Sequence, residues 1–151
     1  MKKALLIALI AGFMVNAAAN PNRNSWGAGV MVGEPTGLSL KIWTGSARSV
    51  NLGAAWSLSN PTSHLHLHAD MAFYTFSVFP VNRGSLPLYY GLGALAQVGN
   101  EAKLGIRIPL GINYLFAYPQ LDMFFEIAPV LLLIKETDFD LDAALGIRFF
   151  F

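Results

Sequence analysis

Eight charged side chains recur at alternate positions within apolar segments, and they have the clearest potential for chemistry in this chain. The cations are Lys41, Lys103, Arg107 and Arg148, and the anions are Asp70, Asp122, Glu126 and Asp142. Four charges of each sign in one narrow interior would be prohibitive if unpaired, but they are tolerable as a hydrogen-bonded network. The pattern therefore predicts buried ion pairs that fix strand register. A small conductance gated by breaking one of those pairs is the alternative.

Three histidines, His64, His66 and His68, occupy every second position of one segment. On a strand they share one face at intervals of about 7 Å, which is too far for one metal ion to bind all three. Adjacent histidines could share an ion with a carboxylate such as Asp70 or Glu34. We interpret them as interior or rim histidines that are satisfied by the charge network and water, and we predict neither metal nor other cofactor.

A second acidic series falls near the end of the chain, at Glu136, Asp138, Asp140 and Asp142. Hard divalent cations favour such oxygen clusters, but the glycine and the bidentate glutamate of an EF-hand loop are missing. The series therefore predicts a solvated acidic rim.

Catalytic motifs are weak in this sequence. Ser63 and His64 are neighbours, but adjacent residues of a strand point to opposite faces, and no third member completes a triad. The pairs Gly27-x-Gly29 and Gly91-x-Gly93 lie within strand-like segments and open no helix, so they are not nucleotide loops. We predict no catalysis, and a lipid-modifying enzyme remains an alternative.

The first residues have the layout of a cleaved secretory signal. Lys2 and Lys3 precede an apolar run over 4–15, which is shorter than the about 20 residues that a spanning helix needs, and Ala17, Ala18 and Ala19 follow. We place the signal peptide at 1–19 and a single mature domain at 20–151.

The composition describes an oily chain without a basic surface. Hydrophobic residues make up 54% of it and the mean hydropathy is +0.48. Ten basic residues, less Lys2 and Lys3, leave eight against nine acidic ones, so no basic field attracts nucleic acid. With no cysteine, disulfide and thiol chemistry are excluded. A closed β-barrel is the structure a bilayer permits for such a chain.

The segments that carry these residues alternate with a period of two, which predicts strands. Eight strands are predicted, over 26–32, 38–44, 50–58, 64–79, 86–98, 102–116, 121–134 and 140–151. Pro109 and Pro129 fall inside two of them, and each should mark a bulge or a local break because proline removes a ladder donor. The fold class is thus all-β, an eight-stranded antiparallel up-and-down transmembrane barrel.

Glycine parity decides which face of the strands lies inside. Most strand glycines share parity with the charges, and the lumen of a small barrel is where bulk must be kept low. Aromatic residues near strand ends suit interfacial girdles: Trp26, Trp56, Tyr90, Tyr114, Phe149 and Phe151. We therefore predict that the oily face points outward to lipid. A secreted lipocalin-like carrier, with the oily face inward, is the soluble alternative.

The end of the chain resembles the closing strand of bacterial outer-membrane barrels. Gly146, Phe149 and Phe151 match the assembly signal of such strands, whereas Ala144 stands where a polar residue is usual. Over the mature chain, the sequence is similar to small barrels of the OmpA transmembrane-domain and OmpX kind. It is more similar to a group of uncharacterised barrel proteins, through motifs at 33–39, 66–70, 87–91, 104–111, 126–129 and 146–148.

The resemblance implies residence in the bacterial outer membrane and brings no established activity. Implied partners are outer-membrane lipid and, during biogenesis, the barrel-assembly machinery and periplasmic chaperones; no nucleic acid is implied, and a monomer is expected. We expect a structural or surface-presenting protein with a charge-plugged lumen. Binding of a host or environmental ligand is the alternative, although the inferred outer loops around Glu34, Asn60, Asn100 and Thr137 are short.

Overall fold

The computed structural model describes residues 26–34, 36–45, 47–56, 65–99, 102–134 and 137–151. These residues form nine strands. Their bounds are β1 Trp26–Glu34, β2 Thr36–Trp43, β3 Arg48–Trp56, β4 Leu65–Thr75, β5 Leu88–Val98, β6 Lys103–Arg107, β7 Leu110–Leu115, β8 Leu121–Leu132 and β9 Asp138–Phe150. The predicted signal peptide and its cleavage point lie outside the described residues.

The strands close into one antiparallel barrel. From β1 to β5, each strand pairs with the next one in the chain, β8 pairs with β9, and β9 closes the barrel by pairing with β1. The strands β6 and β7 lie end to end, and each pairs with β5 on one side and with β8 on the other. Since β6 and β7 together make one wall position, the barrel is eight-stranded, and the predicted fold class is confirmed. Over the described ranges, no helix is long and apolar enough to cross a membrane.

Burial alternates along most of the strands, with most of the aliphatic side chains outward. In β9 the pattern alternates strictly from Asp142 to Phe150, and Leu145, Ile147 and Phe149 are exposed while Arg148 is buried. Leu92 on β5 is 60% exposed, whereas Lys41 on β2 is fully buried. The predicted orientation, with the oily face outward and the charges inward, is confirmed.

Lumen glycines make room for bulky side chains on the neighbouring strand. Five glycines pair in register with a large lumen residue whose side chain lies over the glycine: Gly27 with Phe150, Gly53 with His68, Gly93 with Asp70, Gly111 with Tyr89, and Gly146 with Phe124. A methyl group at any of these glycines would collide with its partner's side chain. The bore is thus filled by side chains that each lie over a glycine, which has no side chain of its own.

The pair Gly27 and Phe150 allows a direct test. A Cβ at Gly27 would stand 2.6 Å from Cε1 of the Phe150 ring, and its three nearest atoms would all belong to that ring. We expect Gly27→Ala to lower the free energy of unfolding by about 1–3 kcal/mol through overpacking. Phe150→Leu in the same chain should relieve the clash, so the double variant should cost less than the sum of the single ones. Denaturant unfolding of all four proteins measures this, and strict additivity would contradict it.

The two prolines behave differently from each other. At Pro109 the strand is interrupted between β6 and β7, as expected, but the register with β5 and β8 is the same on both sides, so no residue is bulged. At Pro129 the expected break is wrong, because β8 runs through it and Pro129 pairs with Leu141. Each proline keeps its acceptor role: the Pro129 carbonyl accepts from Ile108 N at 3.0 Å, and the Pro109 carbonyl from Gly91 N at 2.9 Å. One ladder donor is lost at each site, and the backbone geometry of the strand is otherwise compatible with proline.

The fourth strand is shorter than predicted. It ends at Thr75 and not at 79, because its neighbours end there: β3 begins at Arg48 and β5 begins at Leu88, which pairs with Thr75. The connection 76–87 follows, and it is the longest between any two of the described strands. It returns to β7 through a bridge between Ser85 and Leu115.

The barrel has two ends. We call the end that holds the first and last described residues the lower end, and the other the upper end. The lower end is where Phe151 N donates to the Trp26 carbonyl at 2.9 Å, and it also carries the connections 44–47, 76–87 and 116–120. At the upper end, β1, β3, β5 and β8 end, and β2, β4, β6 and β9 begin. At the upper end of β1, Gly33 adopts φ 148°, a conformation that favours glycine, and the Thr36 hydroxyl donates to its carbonyl at 2.8 Å.

Candidate functional site

The lumen contains nearly all the charged residues that the sequence singles out. Seven of the eight are buried and lie in ion pairs: Lys41, Asp70, Arg107, Asp122, Glu126, Asp142 and Arg148. Lys103 is half-buried at the start of β6. The seven divide into two groups, which we call the lower and upper ion clusters.

The lower ion cluster contains Lys41, Asp122 and Arg148 and is centred on the Asp122 carboxylate, which is fully buried. Arg148 binds Asp122 with two contacts, Nε to Oδ1 at 2.8 Å and Nη2 to Oδ2 at 3.0 Å. Lys41 Nζ donates to Asp122 Oδ2 at 3.2 Å and to Asn113 Oδ1 at 2.5 Å. Asn113 is held by its own amide, which donates to the Met123 carbonyl at 2.8 Å. One carboxylate therefore joins two cations that come from different strands, Lys41 from β2 and Arg148 from β9.

Aromatic rings support the two cations of the lower ion cluster. Lys41 Nζ lies 4.2 Å from the ring centroid of Trp43 and 4.4 Å from that of Tyr74, and Arg148 Cζ lies 4.2 Å from the ring centroid of Phe124. Trp43, Tyr74 and Tyr89 follow one another across the bore with centroid separations of 4.7 and 5.2 Å. These rings give the cations a favourable desolvated environment and also fill the lumen toward its lower end.

The upper ion cluster contains Arg107, Asp70, Glu126 and Asp142 and reverses this arrangement, because one cation serves three carboxylates. Arg107 Nη1 donates to Asp70, Nη2 donates to Glu126 Oε1 at 2.7 Å, and Nε lies 3.9 Å from Asp142 Oδ2. The Tyr89 hydroxyl donates to Glu126 Oε2 at 2.7 Å, so both oxygens of Glu126 are satisfied. Toward the upper end, Leu95, Val130 and Leu132 form a small buried apolar cluster.

His68 is the member of the histidine series that joins the upper ion cluster. Its Nδ1 lies 2.8 Å from Arg107 Nη1 and 3.0 Å from Asp70 Oδ2. A neutral ring with its proton on Nε2 lets Nδ1 accept from Arg107. His66 is buried on the same face of β4, whereas His64 lies outside the described residues.

The described members of the acidic and histidine series do not gather into a metal site. In the part of the chain that the structure describes, no group of three or more potential ligands could hold a metal ion. Asp138 and Asp140 are exposed at the upper end, where each accepts from the backbone N–H of the next residue at 2.9 and 2.8 Å. Asp142 faces the lumen instead, and Glu136, like the neighbours Ser63 and His64, lies outside the described residues.

The residues of the predicted assembly signal have separate positions in the barrel. Gly146 faces the lumen beneath the Phe124 ring, while Phe149 and Phe151 lie on the outer surface with ring centroids 5.8 Å apart. Phe150 between them is buried in the lumen. Their role in assembly stays a prediction.

Several lumen residues that complete the clusters are uncharged, so the pattern of charged residues alone does not identify them. Asn113 and Tyr89 share parity with the predicted lumen residues of their own strands, so parity was the signal that could have found them. Ser39 contacts Arg148, with Oγ 3.4 Å from Nη1, and Ser49 Oγ lies 3.1 Å from the Tyr74 hydroxyl.

The geometry defines a closed eight-stranded antiparallel barrel with a lumen filled by ion pairs and aromatic rings. Among solved structures, the chain is similar in fold to the N-terminal β-barrel domain of Pseudomonas aeruginosa OprF, with a TM-score of 0.68 and 15% sequence identity. The similarity covers 85% of this chain and 98% of that domain. No protein-family model matches the chain, and no curated protein matches it either.

Proposed function

We propose that this protein is an integral barrel of the bacterial outer membrane whose lumen is plugged by its ion clusters, with a structural or surface-presenting role and no catalysis. The observation that carries the proposal is the inverted burial. Leucine, isoleucine and phenylalanine side chains cover the outside, while Lys41, Asp122 and Arg107 are buried in the centre. In water this distribution would be unfavourable on both sides of the wall.

A bilayer makes the same distribution favourable. Closed strands satisfy their own backbone hydrogen bonds, and apolar side chains replace water with acyl chains. The exposed aromatic residues Trp26, Trp56, Tyr90 and Phe149 suit the two interfaces. The similarity in fold to the OprF barrel domain supports the same interpretation.

Occlusion of the lumen supports a plug rather than a pore. A permeating ion would have to pass the Trp43, Tyr74 and Tyr89 rings and then displace buried ion pairs of both clusters. Breaking a buried pair costs about 3–5 kcal/mol, so spontaneous opening would be rare.

Location and barrel character are tested together by fractionation and gel mobility. We expect recovery in the outer-membrane fraction only with detergent, and a folded band that shifts in apparent mass after boiling. Recovery in the periplasmic supernatant without detergent would instead support the lipocalin-like carrier.

The plugged lumen predicts that the protein does not conduct ions. In planar bilayers, the purified and heat-modifiable protein should show no stable channel, because the ion clusters and the rings occupy the bore. A detergent-only sample and a known conducting barrel serve as controls. Steady, reproducible conductance steps that scale with the amount of this protein would refute the plug.

A further inference from the structure

A groove lies on the outer surface of the barrel. It has a volume of about 890 Å³ and runs across β1, β2 and β3 between Phe149 and Phe151 on one side and Leu67 on β4 on the other. Binding sites for small molecules typically have about 300–1,000 Å³. The groove is therefore large enough for a molecule of substantial size.

Small side chains create the groove. Phe149 on β9 pairs with Ala28 on β1, and this row continues across the wall through Leu40 on β2 and Leu52 on β3. In the neighbouring row, Ala54 on β3 pairs with Leu67 on β4. Ala28 and Ala54 are the small residues among the outward side chains that line the groove, and Gly29 and Gly53 also line it. The lining is mostly apolar, with Ser39 and His68 as its polar residues, so a fitting ligand presents an apolar chain.

An arginine lies below the groove at the position where β3 begins. Arg48 is exposed and lies on the same outer face as Leu52, four residues away, which is about 13 Å along a strand. Among the described residues, the exposed basic side chains, Arg48 and Arg83, are both at the lower end, and the exposed acidic ones, Glu34, Asp138 and Asp140, are at the upper end. A planar guanidinium at the edge of an apolar surface is suited to a phosphate group.

With β6 and β7 counted together, the described strands are also shortest on this side. β1, β2 and β3 have 9, 8 and 9 residues, whereas β8 and β9 have 12 and 13. A bilayer that meets a short wall must thin locally, which brings its headgroups closer to the groove. A phospholipid whose chain fits a groove in that wall is accommodated with less distortion.

We propose that this groove binds one diacyl phospholipid, with an acyl chain along Ala28, Leu40, Leu52 and Ala54 and the phosphate on Arg48. This inference rests on the membrane residence proposed above. A second copy of the chain fits less well, because in the same membrane orientation the described exposed carboxylates stand at the end opposite to Arg48. A phospholipid has both parts that this site would bind, an apolar chain for the groove and an anion for Arg48.

The test is lipid retention by the intact barrel. Purified protein in mild detergent is incubated with phosphatidylglycerol, phosphatidylethanolamine or lipid A, and bound molecules are counted by native mass spectrometry. We expect one retained glycerophospholipid per barrel. Filling the groove with Ala54→Leu and removing the cation with Arg48→Gln should each weaken retention about tenfold, which corresponds to about 1.4 kcal/mol.

Matched controls are available on the same molecule. Ala94→Leu enlarges an exposed alanine on the outer face of β5, and Arg83→Gln removes the other exposed basic residue of the lower end; both should retain lipid like the parent. Each variant is first shown to be heat-modifiable, so a failure of the lipid site is distinguishable from a failure of the barrel assignment. Equal retention by all variants, absence of bound lipid, preference for lipid A, or a dimer abolished by Ala54→Leu would each overturn the proposal.

Discussion

Replacing Arg107 with methionine is expected to destabilise the folded barrel by about 5 kcal/mol, near the upper value for breaking a buried pair. Arg107 is the cation that Asp70, Glu126 and Asp142 share, and all three carboxylates are buried. Its removal leaves three negative charges close together without a counter-ion. Unfolding in denaturant, followed by loss of the heat-modifiable band, measures the effect.

The cause can be separated from the loss of side-chain volume. Adding Asp70→Asn and Glu126→Gln to Arg107→Met keeps the shapes and removes two of the stranded charges, so most of the lost stability should return. Arg83→Met, on the exposed connection, is the matched control and should change stability by less than about 0.5 kcal/mol. If Arg107→Met behaved like Arg83→Met, the upper ion cluster would have no role in holding the barrel.

The architecture of this protein is largely readable from its sequence because a barrel wall repeats every two residues. Alternation gives the strands, and the coincidence of glycine with charge on one parity gives the inward face, as Gly93 and Arg107 illustrate. Both signals are local. They require no knowledge of which strands are neighbours beyond the up-and-down order.

Partner choice within the lumen could not be obtained in this way. Arg148 pairs with Asp122 at a separation of 26 residues, and Lys41 with the same carboxylate at a separation of 81. Which side chains meet depends on the stagger of strands around the closed wall, and a shift of register changes every contact across the bore. The charges were identifiable from the sequence, but the split into a cation-rich lower cluster and a carboxylate-rich upper one was not.

Two local errors have the same origin. The predicted fourth strand extends to 79 although its alternation is poor beyond Phe73, but a strand ends where its neighbours end, and the sequence does not display its neighbours. At Pro129, the expected break assumed that losing one donor ends pairing. The Pro129 carbonyl still accepts from Ile108, and the pairing with Leu141 on the other side is unaffected.

The lower ion cluster provides the second strong prediction, because its charge balance is opposite. Asp122→Asn keeps the shape of the side chain but leaves Lys41 and Arg148 buried without a carboxylate, and we expect a loss of about 3 kcal/mol in the free energy of unfolding. Lys41→Met should cost only about 1 kcal/mol, because Arg148 keeps both contacts to Asp122 and a thioether suits the Trp43 and Tyr74 rings. Removing the single carboxylate is therefore worse than removing one of its two cations.

The order of these effects is what separates electrostatics from packing. Combining Lys41→Met with Asp122→Asn removes one of the stranded cations, so the double variant should be more stable than Asp122→Asn alone, although it differs from the parent at two buried positions. Asp138→Asn at the exposed upper end is the matched control for loss of a carboxylate and should be close to neutral. A double variant weaker than either single one would mean that the cluster acts through shape alone, since only charge predicts that a second substitution in the same buried site restores stability.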